Sequence, residues 1–309
     1  MVIGGGLLAL TSGRRQAGYK GGSGSGISCQ KVGPKTSQLD QVSSQQDNQA
    51  SKPLTQLHKH SPHTSPTLNT HHPPTMSDSP KVLVVLTSHS KLGDTGKPTG
   101  WYLSELAHPY SVLTSHGLTL TLASPNGGAS PVDPASIDAS RSSNDDISET
   151  FLAEQSPLWE TTAPLSSFRG RADEFAAIFY PGGHGPMFDL ASDATSQALI
   201  AEFADKGKVV AAVCHGSGAL IGVEGGRFLE GKRVTGFSNA EEEAVGLDGV
   251  VPFSLEDRLV EAVGRAGSYE KAKEKWEVKV VVDGKLITGQ NPASAKGVAE
   301  AIVQAVWAA

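Results

Sequence analysis

Cys214 has the surroundings of a nucleophile, within the stretch AAVCHGSGAL over residues 211–220. An apolar run precedes it, His215 follows it directly, and Gly216 and Gly218 open the turn behind it. This order is typical of a nucleophile elbow, the sharp turn after a strand that exposes a reactive side chain at the edge of a sheet. A buried structural cysteine is the alternative, and the glycine-rich turn disfavours it.

The chemistry expected of Cys214 is nucleophilic attack as a thiolate. A helix beginning after the turn would bring its positive dipole end and free N–H groups to the sulfur, and both would lower the pKa of the thiol. The N–H of His215 would form one arm of an oxyanion hole. A second tight turn, PGGHG over residues 181–185, follows another predicted strand and could supply the other arm.

The elements that would position these turns alternate between strands and helices from Lys81 onwards. Predicted strands cover residues 81–88, 118–124, 175–183, 208–214 and 231–238, a hairpin with an Asp-Gly turn covers 276–289, and helices cover 99–117, 192–207, 255–264 and 292–308. The alternation predicts an α/β fold with a doubly wound, mostly parallel sheet and helices on both faces. Sites in such sheets form at the carboxyl ends of strands, where residues 182–183 and Cys214 fall.

The chain changes in composition near Met76. Residues 1–76 are rich in Gly, Ser, His and Pro and carry a net charge of +5, whereas the remaining 233 residues carry −11. Such a segment has too little apolar surface to offset the entropy lost on ordering. Residues 1–76 are therefore predicted to be a disordered extension, and residues 77–309 a catalytic domain.

Three alternatives for the extension stay open. It could be a weak organelle presequence, since it contains arginine and serine and lacks glutamate. Met76 could be a natural translation start. A metal-binding tract would use His58, His60, His63, His71 and His72.

Bulk properties exclude several partners and bear on the compartment. The net charge of −6 gives no case for nucleic acid or an anionic membrane, and no window approaches the roughly 18 apolar residues of a spanning helix. Cys29 and Cys214 lie in regions of different composition, so a disulfide is not expected and a reducing compartment is favoured. The cytoplasm is expected, with the nucleus and an organelle as alternatives.

A polar segment of weak pattern, residues 133–170, interrupts the strand–helix alternation. It contains Trp159 and is longer than most connections in compact domains. We interpret it as an insertion that would form a lid over the site.

Several motifs together resemble the ThiJ/PfpI superfamily, which has the class I glutamine amidotransferase-like, flavodoxin-type fold. They occur in order between about Lys81 and Ala309 and are SELAHP, SPNGG, YPGGHGPMFD, AAVCHG and TGQNPASA. Within the superfamily, the chain is most similar to the heat-shock chaperone branch that includes glutathione-independent glyoxalase III, also called D-lactate dehydratase. Residues 1–76 have no counterpart in it.

The resemblance implies catalytic roles for four residues. Cys214 corresponds to the nucleophile and His215 to its neighbouring histidine. Glu105 corresponds to the acid that approaches the sulfur, and Glu242 to the acid that orients the histidine. Because a glutamate lies on each side of Glu242, the residue with this role could also be Glu241 or Glu243.

The resemblance also implies a substrate-binding set in the second turn. Gly183 and the backbone of His215 correspond to the oxyanion donors. Gly182 and His184 lie in the same turn and complete the set, although the role of His184 is less defined.

The implied activity is conversion of methylglyoxal to D-lactate through a hemithioacetal on Cys214, with Glu105 or His215 as the base. The resemblance implies a 2-oxoaldehyde substrate, no cofactor, no metal and no glutathione, and a homodimer is expected. A stress-responsive holdase chaperone or a protein or nucleotide deglycase is the alternative, and a cysteine peptidase is less favoured. A glutaminase is disfavoured because His215 is the last histidine of the chain, so the usual downstream histidine is missing.

Removal of residues 1–75 should leave the turnover of methylglyoxal unchanged, because every residue with a predicted catalytic role lies beyond them. Steady-state kinetics of the full and shortened chains, measured side by side, check this. A large fall in kcat/KM of the shortened chain would contradict the interpretation of an extension.

Overall fold

The computed structural model describes residues 79–308, so the expectations for the extension and for Cys29 lie outside this part. The strands are β1 Lys81–Val85, β2 Thr119–Ser124, β3 Ala163–Pro164, β4 Ala177–Tyr180, β5 Val209–Val213, β6 Arg233–Val234, β7 Ser268–Tyr269, β8 Val280–Asp283 and β9 Leu286–Gly289. The helices are α1 Leu103–Ser115, α2 Pro134–Ser143, α3 Asp146–Glu154, α4 Pro157–Glu160, α5 Gly185–Phe188, α6 Ala194–Asp205, α7 Asn239–Val245, α8 Leu255–Val263 and α9 Ala295–Trp307.

A seven-stranded sheet in the order β3-β2-β1-β4-β5-β9-β8 forms the centre of the described residues. Adjacent strands in this sheet run parallel, except for β8 and β9, which form an antiparallel hairpin. Strands β4 and β5 are buried along their whole length, which explains their continuous apolar sequences. The predicted α/β fold with a mostly parallel sheet is confirmed. Among residues 79–308, no helix has the length and apolarity needed to cross a bilayer.

The predicted strand over residues 231–238 is shorter than expected and lies outside the main sheet. Only Arg233–Val234 is extended, and it pairs with β7 in a separate two-stranded sheet. The position beside β5 is taken by β9, which closes the hairpin with β8. The N–H of Thr235 donates to the side-chain hydroxyl of Thr288 in β9, and not to a backbone carbonyl of a neighbouring strand.

The insertion over residues 133–170 consists largely of short helices. Helices α2 and α3 pack against α1, and the hydroxyl of Ser136 accepts the N–H of Leu103 at 3.0 Å. Trp159 is buried, with its ring 5.4 Å from that of Trp101 and 5.3 Å from that of Phe151. The segment thus supports the helix that carries Glu105, while its action as a lid stays a prediction.

The predicted elbow after β5 is followed by a short 3₁₀ helix, Cys214–Leu220, and not by the expected α-helix. Gly216 and Gly218 disfavour an α-helix here, and the turn must also pack closely against the end of β4. A Cβ atom on Gly216 would lie 2.3 Å from the carbonyl oxygen of Tyr180. Cys214 itself adopts φ 56°, in the left-handed region that costs energy for a non-glycine residue.

Gly216→Ala should lower the free energy of unfolding by about 1–3 kcal/mol, because the added methyl group overlaps the β4 backbone. Gly249→Ala is the matched control, since a Cβ atom there meets nothing within 4 Å. Urea denaturation of both variants and the wild type measures the change. Equal midpoints for the two variants would contradict the close packing of the elbow.

Candidate active site

Three elements meet at Cys214, at the carboxyl ends of the central strands. Cys214 directly follows β5, and residues 181–184 follow β4, which is paired with β5. Helix α1 brings Glu105 from its first turn. The side chains of Cys214, Glu105 and His215 are all buried. The turns predicted to form a site therefore do come together.

Glu105 lies fully buried beside the thiol. Its Oε2 atom accepts the N–H of Gly182 at 2.7 Å, and its Oε1 atom has no hydrogen-bond partner among residues 79–308. A Cβ atom on Gly182 would lie 2.7 Å from Oε2 and 2.8 Å from the Cβ of Cys214. Only glycine at this position lets the carboxyl group and the thiol approach each other.

Both acidic groups of this pair hold their protons more tightly than usual. Burial raises the pKa of Glu105 to about 8. Burial, and then the neighbouring Glu105 carboxylate, raise the pKa of Cys214 well above its usual value, although the N–H groups of His215 and Gly183 act in the opposite direction. The N–H groups of the turns act as expected, but the expected net lowering of the pKa of Cys214 is wrong, because the thiol is buried beside an acid and only a short 3₁₀ helix follows it.

His215 joins the thiol to a second carboxylate. Its Nδ1 atom lies 3.3 Å from Cys214 Sγ, and its Nε2 atom lies 2.6 Å from Glu242 Oε2. The carboxylate fixes the proton on Nε2, so the lone pair of Nδ1 faces the thiol and can accept its proton. Burial and the neighbouring His184 lower the pKa of His215, which keeps the ring neutral.

Glu242 is shared by two imidazoles. Its Oε1 atom accepts a hydrogen bond from Nε2 of His184 at 2.8 Å, while Oε2 binds His215. Burial alone would raise the pKa of Glu242, but the two histidines outweigh it and lower the pKa to about 2. Helix α7 therefore presents Glu242 to the site, whereas its neighbour Glu243 is exposed.

Glu241 has a structural role that the sequence did not lead us to predict. It closes a capping box with Ser238 at the start of α7. The same carboxylate accepts the backbone N–H of Trp276 at 3.0 Å and the side-chain amides of Gln290 at 3.0 Å and Asn291 at 2.8 Å. It thereby ties α7 to the TGQNPASA motif and fixes the register of Glu242. The Ser-x-x-Glu spacing was a signal that could have predicted the capping box.

Aromatic rings pack beside the imidazole of His215, and the sequence did not lead us to predict them either. The ring of Phe237 lies 4.4 Å from that of His215 and 5.7 Å from that of Trp276. Beside Phe237 and Glu242 lies a cavity of about 210 Å³. A larger cavity of about 610 Å³, between α1 and α3, contains none of the predicted site residues.

Comparisons with known proteins agree with the arrangement of the fold. The profile of the DJ-1/PfpI family matches residues 99–305. A glutathione-independent glyoxalase of Schizosaccharomyces pombe is 32% identical over 236 residues, which cover 73% of this chain and 96% of the relative. The solved structure of the Rapid Encystment Protein of Francisella tularensis has a TM-score of 0.67 at 39% identity and covers 74% of this chain and 99% of that one. Glyoxalase III of Candida albicans has a TM-score of 0.63 at 27% identity, with coverage of 73% and 97%.

Glu105→Gln should lower the pKa of Cys214, because the change removes the charge that opposes the thiolate while the amide oxygen can still accept the N–H of Gly182. The pH dependence of iodoacetamide alkylation, followed at Cys214 by peptide mass spectrometry, measures this. Glu243→Gln, a separate variant at an exposed glutamate, should leave the pH dependence of alkylation unchanged. An unchanged or higher pKa in Glu105→Gln would refute the coupling.

Proposed function

The chain belongs to the DJ-1/PfpI family, and from this premise we propose that it is a glutathione-independent glyoxalase that converts methylglyoxal to D-lactate. The observation that supports this most is the position of Cys214 between the buried acid Glu105 and the imidazole of His215. Such a site offers one nucleophile and two proton carriers. The glyoxalases of S. pombe and C. albicans support the substrate class.

The first step is addition of the thiol to the aldehyde. His215 Nδ1, 3.3 Å from Sγ, accepts the thiol proton as the sulfur bonds to the aldehyde carbon. The proton then passes to the former aldehyde oxygen, which gives a neutral hemithioacetal. The N–H groups of Gly183 and His215 interact with the sulfur, so they lie close to the place where negative charge develops on that oxygen.

The second step moves hydrogen between neighbouring carbons. Glu105, as the carboxylate, removes the proton from the carbon bonded to sulfur, which gives an enediolate, and returns that proton to the adjacent carbon. The hydroxyl proton of the first carbon passes to the oxygen of the second. The first carbon is oxidised to a thioester while the second is reduced to an alcohol, so the electrons balance within the substrate. A pKa of about 8 suits a group that must both take and give a proton near neutral pH.

Glu105 is favoured over His215 as the base for this step. Its Oε1 atom has no hydrogen-bond partner among the described residues, so it is free to meet a C–H or O–H group of the substrate. Glu242 occupies Nε2 of His215, and its Nδ1 atom faces the sulfur and serves the proton transfers of the first and third steps.

The third step is hydrolysis of the thioester. Nδ1 of His215 accepts a proton from the attacking water, and Glu242 stabilises the resulting imidazolium charge. The sulfur leaves as thiolate and regains its proton, which releases D-lactate and restores the enzyme. The chain's own residues and water account for every proton in this sequence.

A cysteine peptidase fits the geometry less well. A peptide substrate needs an open cleft, whereas Cys214 is only 2% exposed. The site therefore favours a small substrate such as a 2-oxoaldehyde.

The wild-type protein should form D-lactate from methylglyoxal without glutathione, and Cys214→Ala should form none above background. Glu105→Gln should lower kcat by about 10²–10⁴-fold, the usual contribution of a positioned proton carrier. An enantiospecific lactate assay measures both, with folding checked by circular dichroism.

Glu243→Gln is the matched control for the loss of an acid, because Glu243 is exposed and lies outside the site. It should retain wild-type turnover. D-Lactate formation by Cys214→Ala at the wild-type rate would overturn the proposed function, and wild-type turnover in Glu105→Gln would remove Glu105 from its role.

A further inference from the structure

Three potential metal ligands converge beside the catalytic thiol. One ligand atom from each of His184, His215 and Glu242 lies within 4.8 Å of the other two. Both imidazoles direct Nε2 to the same carboxylate, at 2.8 Å and 2.6 Å. We propose that these residues form a binding site for Zn²⁺ that inhibits the enzyme.

The donor set is one that zinc uses. Two histidines and one glutamate, with a fourth position left for water, are a known zinc coordination in proteins. Of the three ligands, Glu242 also lines a cavity of about 210 Å³, which could hold such a water. Phe237 packs against the ring of His215 and holds its orientation.

The ligands are fixed by separate elements, so little rearrangement is needed. His184 follows β4, His215 follows β5, and Glu242 lies in α7, which the Glu241 network anchors. The two imidazole rings are 4.3 Å apart at an angle of 41°. The side chains of His184 and Glu242 are 14% and 9% exposed, against 1% for His215, so the ion enters from the His184 side.

Zinc at this position would stop the thiol chemistry. To bind the ion through Nε2, each imidazole must carry its proton on Nδ1. Nδ1 of His215 faces Cys214 Sγ at 3.3 Å, so it would become a donor and could no longer accept the thiol proton. The inhibition rests on the proposed function, whereas the binding does not. The sequence predicts no resident metal, and an inhibitory ion is consistent with that expectation.

The histidine-rich part of residues 1–76 could also bind zinc, so the experiment must distinguish that binding from binding at the proposed site. Full-length protein is titrated with Co²⁺, whose visible absorption reports its ligands, and Zn²⁺ affinity is measured by competition with a chromophoric chelator. Every variant retains residues 1–76, so their contribution is the same throughout. His184→Gln removes one ligand of the site, and His116→Gln removes an exposed histidine of the same domain.

His184→Gln should lose the cobalt absorption of the site and bind Zn²⁺ about tenfold or more weakly, whereas His116→Gln should match the wild type. Glu242→Gln should show the same loss, which covers the case that one variant folds poorly. Cys214→Ala should keep both signals, because the thiol is not a ligand.

Identical cobalt spectra and Zn²⁺ affinities for the wild type, His184→Gln and Glu242→Gln would overturn the proposal. Loss of binding in Cys214→Ala would also overturn it, since the thiolate would then be the ligand. These measurements use no substrate, so their result does not depend on whether the glyoxalase assay succeeds. In an active preparation, Zn²⁺ should abolish turnover and EDTA should restore it.

Discussion

Burial of the Glu105 carboxyl group against the Cys214 thiol is the constraint on which the rest of the site depends. Two acidic groups in a buried place cannot both ionise cheaply, so Glu105 and Cys214 do not lose their protons together near neutral pH, and the pair titrates as a unit. The N–H of Gly182 is the hydrogen bond that partly offsets this cost. Loss of the thiol proton therefore depends on a neighbouring acceptor, which is the imidazole of His215.

The second half of the site is held by carboxylates with different tasks. Glu242 orients the two imidazoles, and its neighbour Glu241 has its oxygens turned to the backbone and amides of the TGQNPASA region. Of these two adjacent glutamates on one helix, Glu242 therefore acts in the chemistry and Glu241 holds the structure around it. Because both carboxylates lie at the start of α7, the helix N-terminus also favours their charge.

The sequence alone led to the central strands and to Cys214, because both signals are local: continuous apolar runs, and a cysteine before a glycine turn. Glu105 and Glu242 came only from the family resemblance, since they approach Cys214 from helices far away in the chain. The pKa of Cys214 was predicted in the wrong direction. Its main causes, burial and the charge of Glu105, arise from tertiary packing, and the expected helix dipole is replaced by a short 3₁₀ turn.

The limits of local reasoning are also visible in the smaller elements. Residues 231–238 have the pattern of a strand, but β9 occupies the neighbouring place in the sheet. Phe237 packs against the ring of His215, and Trp276 packs against Phe237, from segments whose sequence gives no sign of these contacts. Such contacts depend on how the hairpin and α7 pack together, which no spacing within one segment encodes.

Rapid quenching of the enzyme with methylglyoxal, followed by peptide mass spectrometry, tests the covalent step most directly. The account predicts an adduct on the Cys214 peptide that carries the full mass of one methylglyoxal, since the hemithioacetal and the lactate thioester are isomers. The adduct should accumulate in Glu105→Gln as the hemithioacetal. Lactate production with no adduct on Cys214 at any time would contradict the account.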